Sequence, residues 1–173
     1  AMAQRMSMLY GLAAPEFFDR AMFRDFIELL RQRDVIRLDG EGKLTYDEAL
    51  LAVAKDARIV LKMNALTDEP LIRALIDAGR SGVKIDLIVR GACMLPAQLP
   101  GLTDNIRVRS IIGRFLEHSR VFYFRAHGQE HLYLSSADWM NRNMLRRVEI
   151  AWPVTDAAAR QRVIDECLVG SLY

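Results

Sequence analysis

Two hydrophobic rhythms divide the chain. In residues 15–33, PEFFDRAMFRDFIELLRQR, Phe18, Met22, Phe26, Leu29 and Leu30 recur at helical spacing, and Pro15 stands where a helix can open. This pattern predicts an amphipathic helix. Asp39-Gly40 and Gly42 then signal turns. Thr45-x-x-Glu48 is a capping-box pattern in front of a second helix, expected over roughly 46–57. Beyond this point the apolar residues come in short runs. RIVLKMN (58–64) and VKIDLIVR (83–90) read as buried strands. Between them Thr67 and Asp68 can cap a helix over about 69–80, with Pro70 in its first turn and Gly82 after it. Strand, helix and strand in that order predict a parallel pair with a right-handed crossover.

Residues 91–105, GACMLPAQLPGLTDN, carry Pro96, Pro100 and Gly101 and read as a long loop. Ordered loops of that length are commonly functional. Four β-like runs follow: IRVRSII (106–112), RVFYFR (120–125), HLYLSS (131–136) and RRVEIAWPV (146–154). FLEHS (115–119) lies between the first two, and a closing helix is expected over 156–168. The order predicts an α/β fold, with a helical N-terminal segment followed by a mixed sheet flanked by helices.

Composition adds limits. With 173 residues, 51% of them hydrophobic and 27% charged, the chain can bury the core of one domain plus a small helical appendage, which excludes intrinsic disorder. No apolar run approaches the roughly 18–20 residues of a membrane span. The first residues, AMAQRMSMLYG, lack the apolar run of a secretory signal. Cys93 and Cys167 form neither a disulfide framework nor a zinc-ligand spacing, and no metal-ligand cluster is visible. A reducing cytoplasm is therefore the expected location.

Charge changes the picture more. The 24 basic residues comprise 20 Arg and 4 Lys. Either the coding sequence is biased towards Arg, or Arg serves where phosphate must be gripped bidentately. Between Arg107 and Arg147 there are eight Arg, all three His, and only Glu117, Glu130 and Asp138 as acids. An electropositive third in a near-neutral chain suggests an anionic ligand.

Three groups could carry chemistry. His118-Ser119-Arg120 sets an imidazole and a guanidinium two positions apart, on one face of an extended segment. The imidazole could attack phosphorus or relay a proton, and the cation could stabilise non-bridging oxygens; the alternative is a surface His beside a surface Arg. SSADWMNRN (135–143) follows a strand end, where ligand-binding loops sit in α/β folds. There Asp138 could orient an imidazole and Arg142 hold a phosphate, or the stretch is an Asx turn with Trp139 on the core. Arg90-Gly91 ends an apolar strand, so Arg90 either points to a site or snorkels to solvent. Cys93 reads as a small buried residue. Phosphate-binding Gly-rich loops, the nucleophile elbow and the kinase signature set are absent from the sequence.

Taken together, KMNALTDEPLIRALIDAGRSGVKIDLIVRGACMLPAQLPGLTDNIRVRSIIGRFLEHSRVFYF and SSADWMNRNMLRRVEIAWPV closely resemble the last catalytic domain of bacterial polyphosphate kinase. The VRGxC, FLEHSR and SADWMxRN motifs are strongly diagnostic in combination. The resemblance runs from about Leu61 to the chain end and implies the second of two phospholipase-D-like domains. It further implies reversible polymerisation of the terminal phosphate of ATP, with Mg2+. By motif, Arg90 would bind phosphate, His118 would be the second active-site histidine and Arg120 would assist it. Ser136, Asp138, Arg142 and Asn143 would line the phosphate tunnel. Residues 6–61 resemble a different protein, the C-terminal tail of glycerol-3-phosphate acyltransferase, notably in LYGLxAPEFFD and KDARxVL. The expected division is therefore a helical, acyltransferase-tail-like segment over 1–60 and a truncated phospholipase-D-like domain over 61–173, joined as a chimera near Ile59–Met63.

The family's phosphorylated histidine lies in its first phospholipase-D-like domain, whose motif is not in this sequence. The expected function is thus a polyphosphate-kinase-derived phosphotransferase domain. It would bind polyphosphate or nucleotide phosphates, with little or no kinase activity of its own; ATP and Mg2+ enter only if activity survives. A homodimer could bring two copies of His118 together. The competing expectation is a non-enzymatic binding protein, such as an inhibitor or neutraliser of a protein partner, with a vestigial site. Nucleic-acid binding ranks last, because the Arg window lacks a recognition helix.

Overall fold

The computed structural model describes residues 57–126 and 128–172, together with the backbone of Arg37–Leu38 and Leu44–Thr45. The helices expected over 15–33 and 46–57 lie outside the described residues. Strands β1 (Arg37–Leu38) and β2 (Leu44–Thr45) pair antiparallel, with the turn-signal residues between them in sequence.

The remaining strands form one six-stranded sheet. They are β3 (Arg58–Met63), β4 (Lys84–Val89), β5 (Ile106–Arg109), β6 (Val121–Ala126), β7 (Gln129–Ser135) and β8 (Ala151–Pro153). Their order is β5-β4-β3-β6-β7-β8. β4 pairs parallel with β3 and with β5; the pairs β3–β6, β6–β7 and β7–β8 are antiparallel. This is the mixed α/β sheet the sequence predicts. Pairing begins at Arg58↔Lys84 and runs unbroken to Met63↔Val89, so β3 passes through the expected 60/61 division as one strand.

Two strands are shorter than their apolar runs. β5 stops at Arg109, which is opposite Ile88, because β4 ends one residue later and leaves 110–112 no ladder to join. Of RRVEIAWPV only Ala151–Pro153 pairs, since Tyr133 to Ser135 are the β7 residues that face it.

Helix α1 (Glu69–Arg80) forms as expected. The Asp68 carboxylate accepts the Leu71 N–H at 3.3 Å, and Pro70 sits in the first turn, where no backbone donor is needed. Gly82, at φ +96°, turns the chain back to the sheet. Helix α2 (Asn141–Leu145) follows β7. Helix α3 (Ala157–Val163), capped by Asp156, continues into a π-helical stretch, Ile164–Val169, and a final turn, α4 (Gly170–Leu172).

Alternation along β3 divides the core. Ile59, Leu61 and Met63 join Leu71, Leu75 and Ala78 of α1, with Phe122 and Trp139, on one face. Val60 joins Ile88, Val121, Tyr123 and Leu132 under Leu168 and Leu172 on the other. Trp139 is fully buried, its ring 5.6 Å from that of Phe122.

Lys62 breaks the apolar pattern of the second face, being only 3% exposed. Its ammonium donates to the Cys167 carbonyl at 3.0 Å and to Ser171 Oγ at 3.2 Å, and lies 3.3 Å from Glu117 Oε1. A buried cation must be paired, and these three partners meet that need. They also tie the C-terminal helix and the 110–119 loop to the central strand. Replacing Lys62 with Met keeps the stem and removes the ties. We expect a loss of about 2 kcal/mol, seen as a Tm about 6 °C lower in thermal unfolding. A shift under about 1 °C would remove the tie from the account.

Candidate functional site

Three loops meet at the carboxyl ends of β3 and β4. Ala65 O accepts the Trp139 N–H at 3.1 Å, and Trp139 O accepts those of Thr67 and Asp68 at 2.8 and 2.9 Å. Leu66 exchanges backbone bonds with the loop after β4, through Ala92 O at 2.9 Å and the Met94 N–H at 2.9 Å. Gly91 belongs to this junction for lack of a side chain. Its N–H donates to Asn64 O at 2.8 Å, and a Cβ there would stand 3.1 Å from that same oxygen. Close approach is thus the structural role of Gly91.

The strand ends deliver a connected polar chain. Arg90 Nε donates to Asn64 Oδ1 at 2.9 Å. Asn64 donates through its backbone N–H (2.8 Å) and Nδ2 (3.1 Å) to Asp138 Oδ1. Arg120 donates to both Asp138 oxygens, Nε to Oδ1 and Nη2 to Oδ2, each at 3.2 Å. Arg120 then reaches His118: Nη1 lies 2.9 Å from Nδ1 and donates to the His118 carbonyl at 3.0 Å, and Nη2 lies 3.3 Å from Nε2. A guanidinium only donates and an imidazole accepts through at most one nitrogen, so only one of these two ring contacts can be a hydrogen bond.

These contacts assign roles. Asp138 was expected to orient the imidazole; the structure places Arg120 between them, in contact with both. Arg120 turns its N–H donors to Asp138, to the His118 carbonyl and to the His118 ring, which can accept only one of the two facing it. It is arranged to hold His118. Arg90 spends only Nε, and among the described residues its Nη groups have no hydrogen-bond or ion-pair partner. Arg142 is exposed on α2. Ser136 and Asn143 turn to a residue the sequence reading passed over. Ser136 Oγ donates to Glu149 Oε2 and Asn143 Nδ2 to Glu149 Oε1 at 2.6 Å, while Ser136 Oγ also accepts the Ile150 N–H at 3.1 Å. The buried Asn143 Oδ1 has no hydrogen-bond partner. Asn64 was missed too, although it directly follows a buried strand, as Arg90 does.

Asp138 is buried, its side chain 8% exposed against 13% for Arg120. Burial pushes its carboxyl upward, but the bonds from Arg120 and Asn64 outweigh that and hold it below the ordinary 3.8. Cys93 moves the other way: burial raises its thiol, against a weak contact to Leu95 O, which suits a packing residue and not a nucleophile. Among the described residues no group of three His, Cys, Asp or Glu side chains is placed to hold a metal ion.

Residues 44–169 match the family model described as polyphosphate kinase C-terminal domain 2. The chain belongs to this polyphosphate kinase family. The polyphosphate kinase of Burkholderia multivorans is 60% identical over 114 residues, which are 66% of this chain and 17% of that protein. The polyphosphate kinase of Paraburkholderia phytofirmans is 58% identical over 118 residues, 68% of this chain and 17% of that one. The crystal structure of polyphosphate kinase from Porphyromonas gingivalis overlays with a TM-score of 0.62 at 41% identity, covering 68% of this chain and 20% of that one. The chain thus spans about a sixth to a fifth of the length of these relatives. Residues 1–39 match a second model, the glycerol-3-phosphate acyltransferase C-terminal region. The polyphosphate kinase match begins at residue 44, upstream of the expected 60/61 division.

The Asp138–Arg120 pair yields a direct test. Asp138→Asn leaves a guanidinium nearly buried without its counter-charge, so we expect a loss of about 3 kcal/mol at neutral pH. The depressed carboxyl stabilises the fold above its unfolded value near 3.8, and that stabilisation is lost as pH falls through the lower folded value. Thermal unfolding across acidic pH should therefore show an acid limb in the wild type that is reduced in the Asn variant. Parallel curves would refute the pairing.

Proposed function

We propose that this domain grips phosphate-rich anions, polyphosphate or the phosphates of a nucleotide, at the carboxyl ends of β3 and β4. Arg90 is the gripping cation, and His118 is held ready for phosphorus by Arg120. The observation that carries this is the chain Arg90–Asn64–Asp138–Arg120–His118, whose members come from four separate stretches of sequence. Membership of the polyphosphate kinase family supports the ligand class. In this reading Arg90 offers its Nη donors to non-bridging oxygens. The His118 ring, exposed at the rim, supplies a nitrogen nucleophile or proton carrier. Arg142 adds an exposed second cation from α2. Glu149 stands beside Ser136 and Asn143 as a carboxylate that a phosphate chain must pass, or whose charge Mg2+ delivered with ATP would balance.

Kinase activity of this chain alone is expected to be weak or absent, because phosphoryl transfer needs more charge stabilisation than one Arg with unspent donors and one imidazole supply. A second reading, a protein-binding role, is favoured by one observation. Next to His118 the chain exposes Ile112 (94%), Phe115 (83%) and Leu116 (71%), an apolar run that solvent does not reward.

Binding of inorganic polyphosphate, measured by calorimetry on the full chain, separates the readings. Arg90→Ala should weaken it at least tenfold, about 1.4 kcal/mol. His118→Ala should leave binding within about threefold and abolish whatever ATP-dependent turnover exists. If neither variant alters binding or turnover, the site is vestigial and the protein-binding reading prevails.

A further inference from the structure

The opposite edge of the sheet holds a feature that the phosphate site does not use. Lys84, Arg58 and Arg125 stand in register across β4, β3 and β6, three cations side by side on one face. Arg107 lies opposite Asp86 on β5, one row further in. Glu130 on β7 stands opposite Arg125 in the row of three cations, so an acid closes one end of it. These four cations and two carboxylates, Asp86 and Asp104, line a cavity of about 360 Å3. Both acids are partly spent within the protein. Asp86 Oδ2 accepts Arg58 Nη2 at 2.9 Å, and Asp104 Oδ2 accepts the Gly101 N–H at 2.8 Å. Arg58 Nε is buried and has no hydrogen-bond partner. Among the described residues the lining therefore carries four cations to two carboxylates, and Arg58 Nε is a buried donor without an acceptor.

We infer that this cavity is a second phosphate-chain site, separate from the one that includes His118. Its volume lies at the low end of small-ligand pockets. Its described lining contains no aromatic ring on which a base could stack, so a bare chain of phosphates, or the phosphate tail of a nucleotide, fits better than a whole nucleoside. Six residues of β3 separate Arg58 from Asn64, about 20 Å at the usual rise, so one small ligand cannot occupy both places. The arrangement also explains Arg107 and Arg125. Both belong to the Arg-rich window of the sequence, yet neither lies at the His118 edge.

The test uses the full chain and inorganic tripolyphosphate, by calorimetry at physiological salt. In an Arg90→Ala background the His118-edge site is weakened, and saturable binding should persist. Adding Lys84→Gln and Arg107→Gln, both at exposed positions, should weaken that residual binding at least tenfold with the Tm unchanged. A third variant acts in the opposite direction: Asp86→Asn frees Arg58 Nη2 and should tighten binding severalfold, a gain that misfolding cannot produce. Competition by ATP would identify a nucleotide tail as the source, and its absence an inorganic chain. The inference is overturned if Arg90→Ala alone removes all binding, or if the residual binding ignores both the cavity charges and Asp86. Failure of the His118-edge reading would instead leave Arg90→Ala binding unchanged while the cavity variants still act.

Discussion

The site is organised around one buried carboxylate. Asp138 is held away from water, where a bare charge would cost several kcal/mol, and it is tolerated because four donors converge on it. Those donors come from the end of β3 and the start of β6, and Asp138 itself follows β7. A single charge thus fixes three strand ends relative to one another. The sheet makes this feasible: β6 lies antiparallel to β3, so the start of one meets the end of the other, with Lys62 opposite Val121. The candidate site residues inherit their positions from this fixed edge.

A guanidinium held by a carboxylate and an imidazole behaves differently from one held through a single nitrogen. Arg120 and Arg90 flank the same Asn64–Asp138 pair, but their contacts divide the work. Arg120 has its donors directed at Asp138 and His118, so its rotamer is fixed and its charge is partly neutralised. Among the described residues Arg90 is anchored only through Nε, which sets its direction and leaves the planar fork open. Anchored orientation with unspent donors is what bidentate phosphate recognition requires. Below the same edge, Lys62 holds Glu117, and Ser119 Oγ donates to Glu117 Oε1 at 2.6 Å, so the residues on both sides of His118 are tied down.

Much of this fold was legible in the sequence. The parallel β3–β4 pair with α1 between them follows from two apolar runs, an Asp cap and an early Pro, because burial on both faces of a central strand leaves few alternatives. The ends of β5 and β8 were not legible, since a strand ends where its neighbour's ladder ends, and that is a fact about another segment. At the site, His118, Arg120, Asp138 and Arg90 carried signals of their own, as charged residues beside apolar strands. Asn64 and Glu149 did not. Asn64 is a neutral residue whose importance comes from bridging two charges, and Glu149 reads in sequence as one acid offsetting Arg146 and Arg147. Spacing could not reveal that Ser136 and Asn143 would both turn to it.

The Arg excess shows why position along a sequence is a weak guide to a surface. Between Arg107 and Arg147 it reads as one basic patch. Folding divides it, because β5 and β6 start and end at opposite edges. Arg107 at the start of β5 and Arg125 near the end of β6 lie at one edge of the sheet, while Arg120, just before β6, lies at the other. Cations at the two ends of β6 repel each other less than if they shared an edge, since about 16 Å and a low-charge core separate them. Each cluster then needs its own neutralisation. At the His118 edge Asp138 and Glu149 provide part of it from within the chain, and at the opposite edge Asp86 and Glu130 stand in register with Arg107 and Arg125. The placing of these charges is therefore set by sheet topology and not by the net charge of +2.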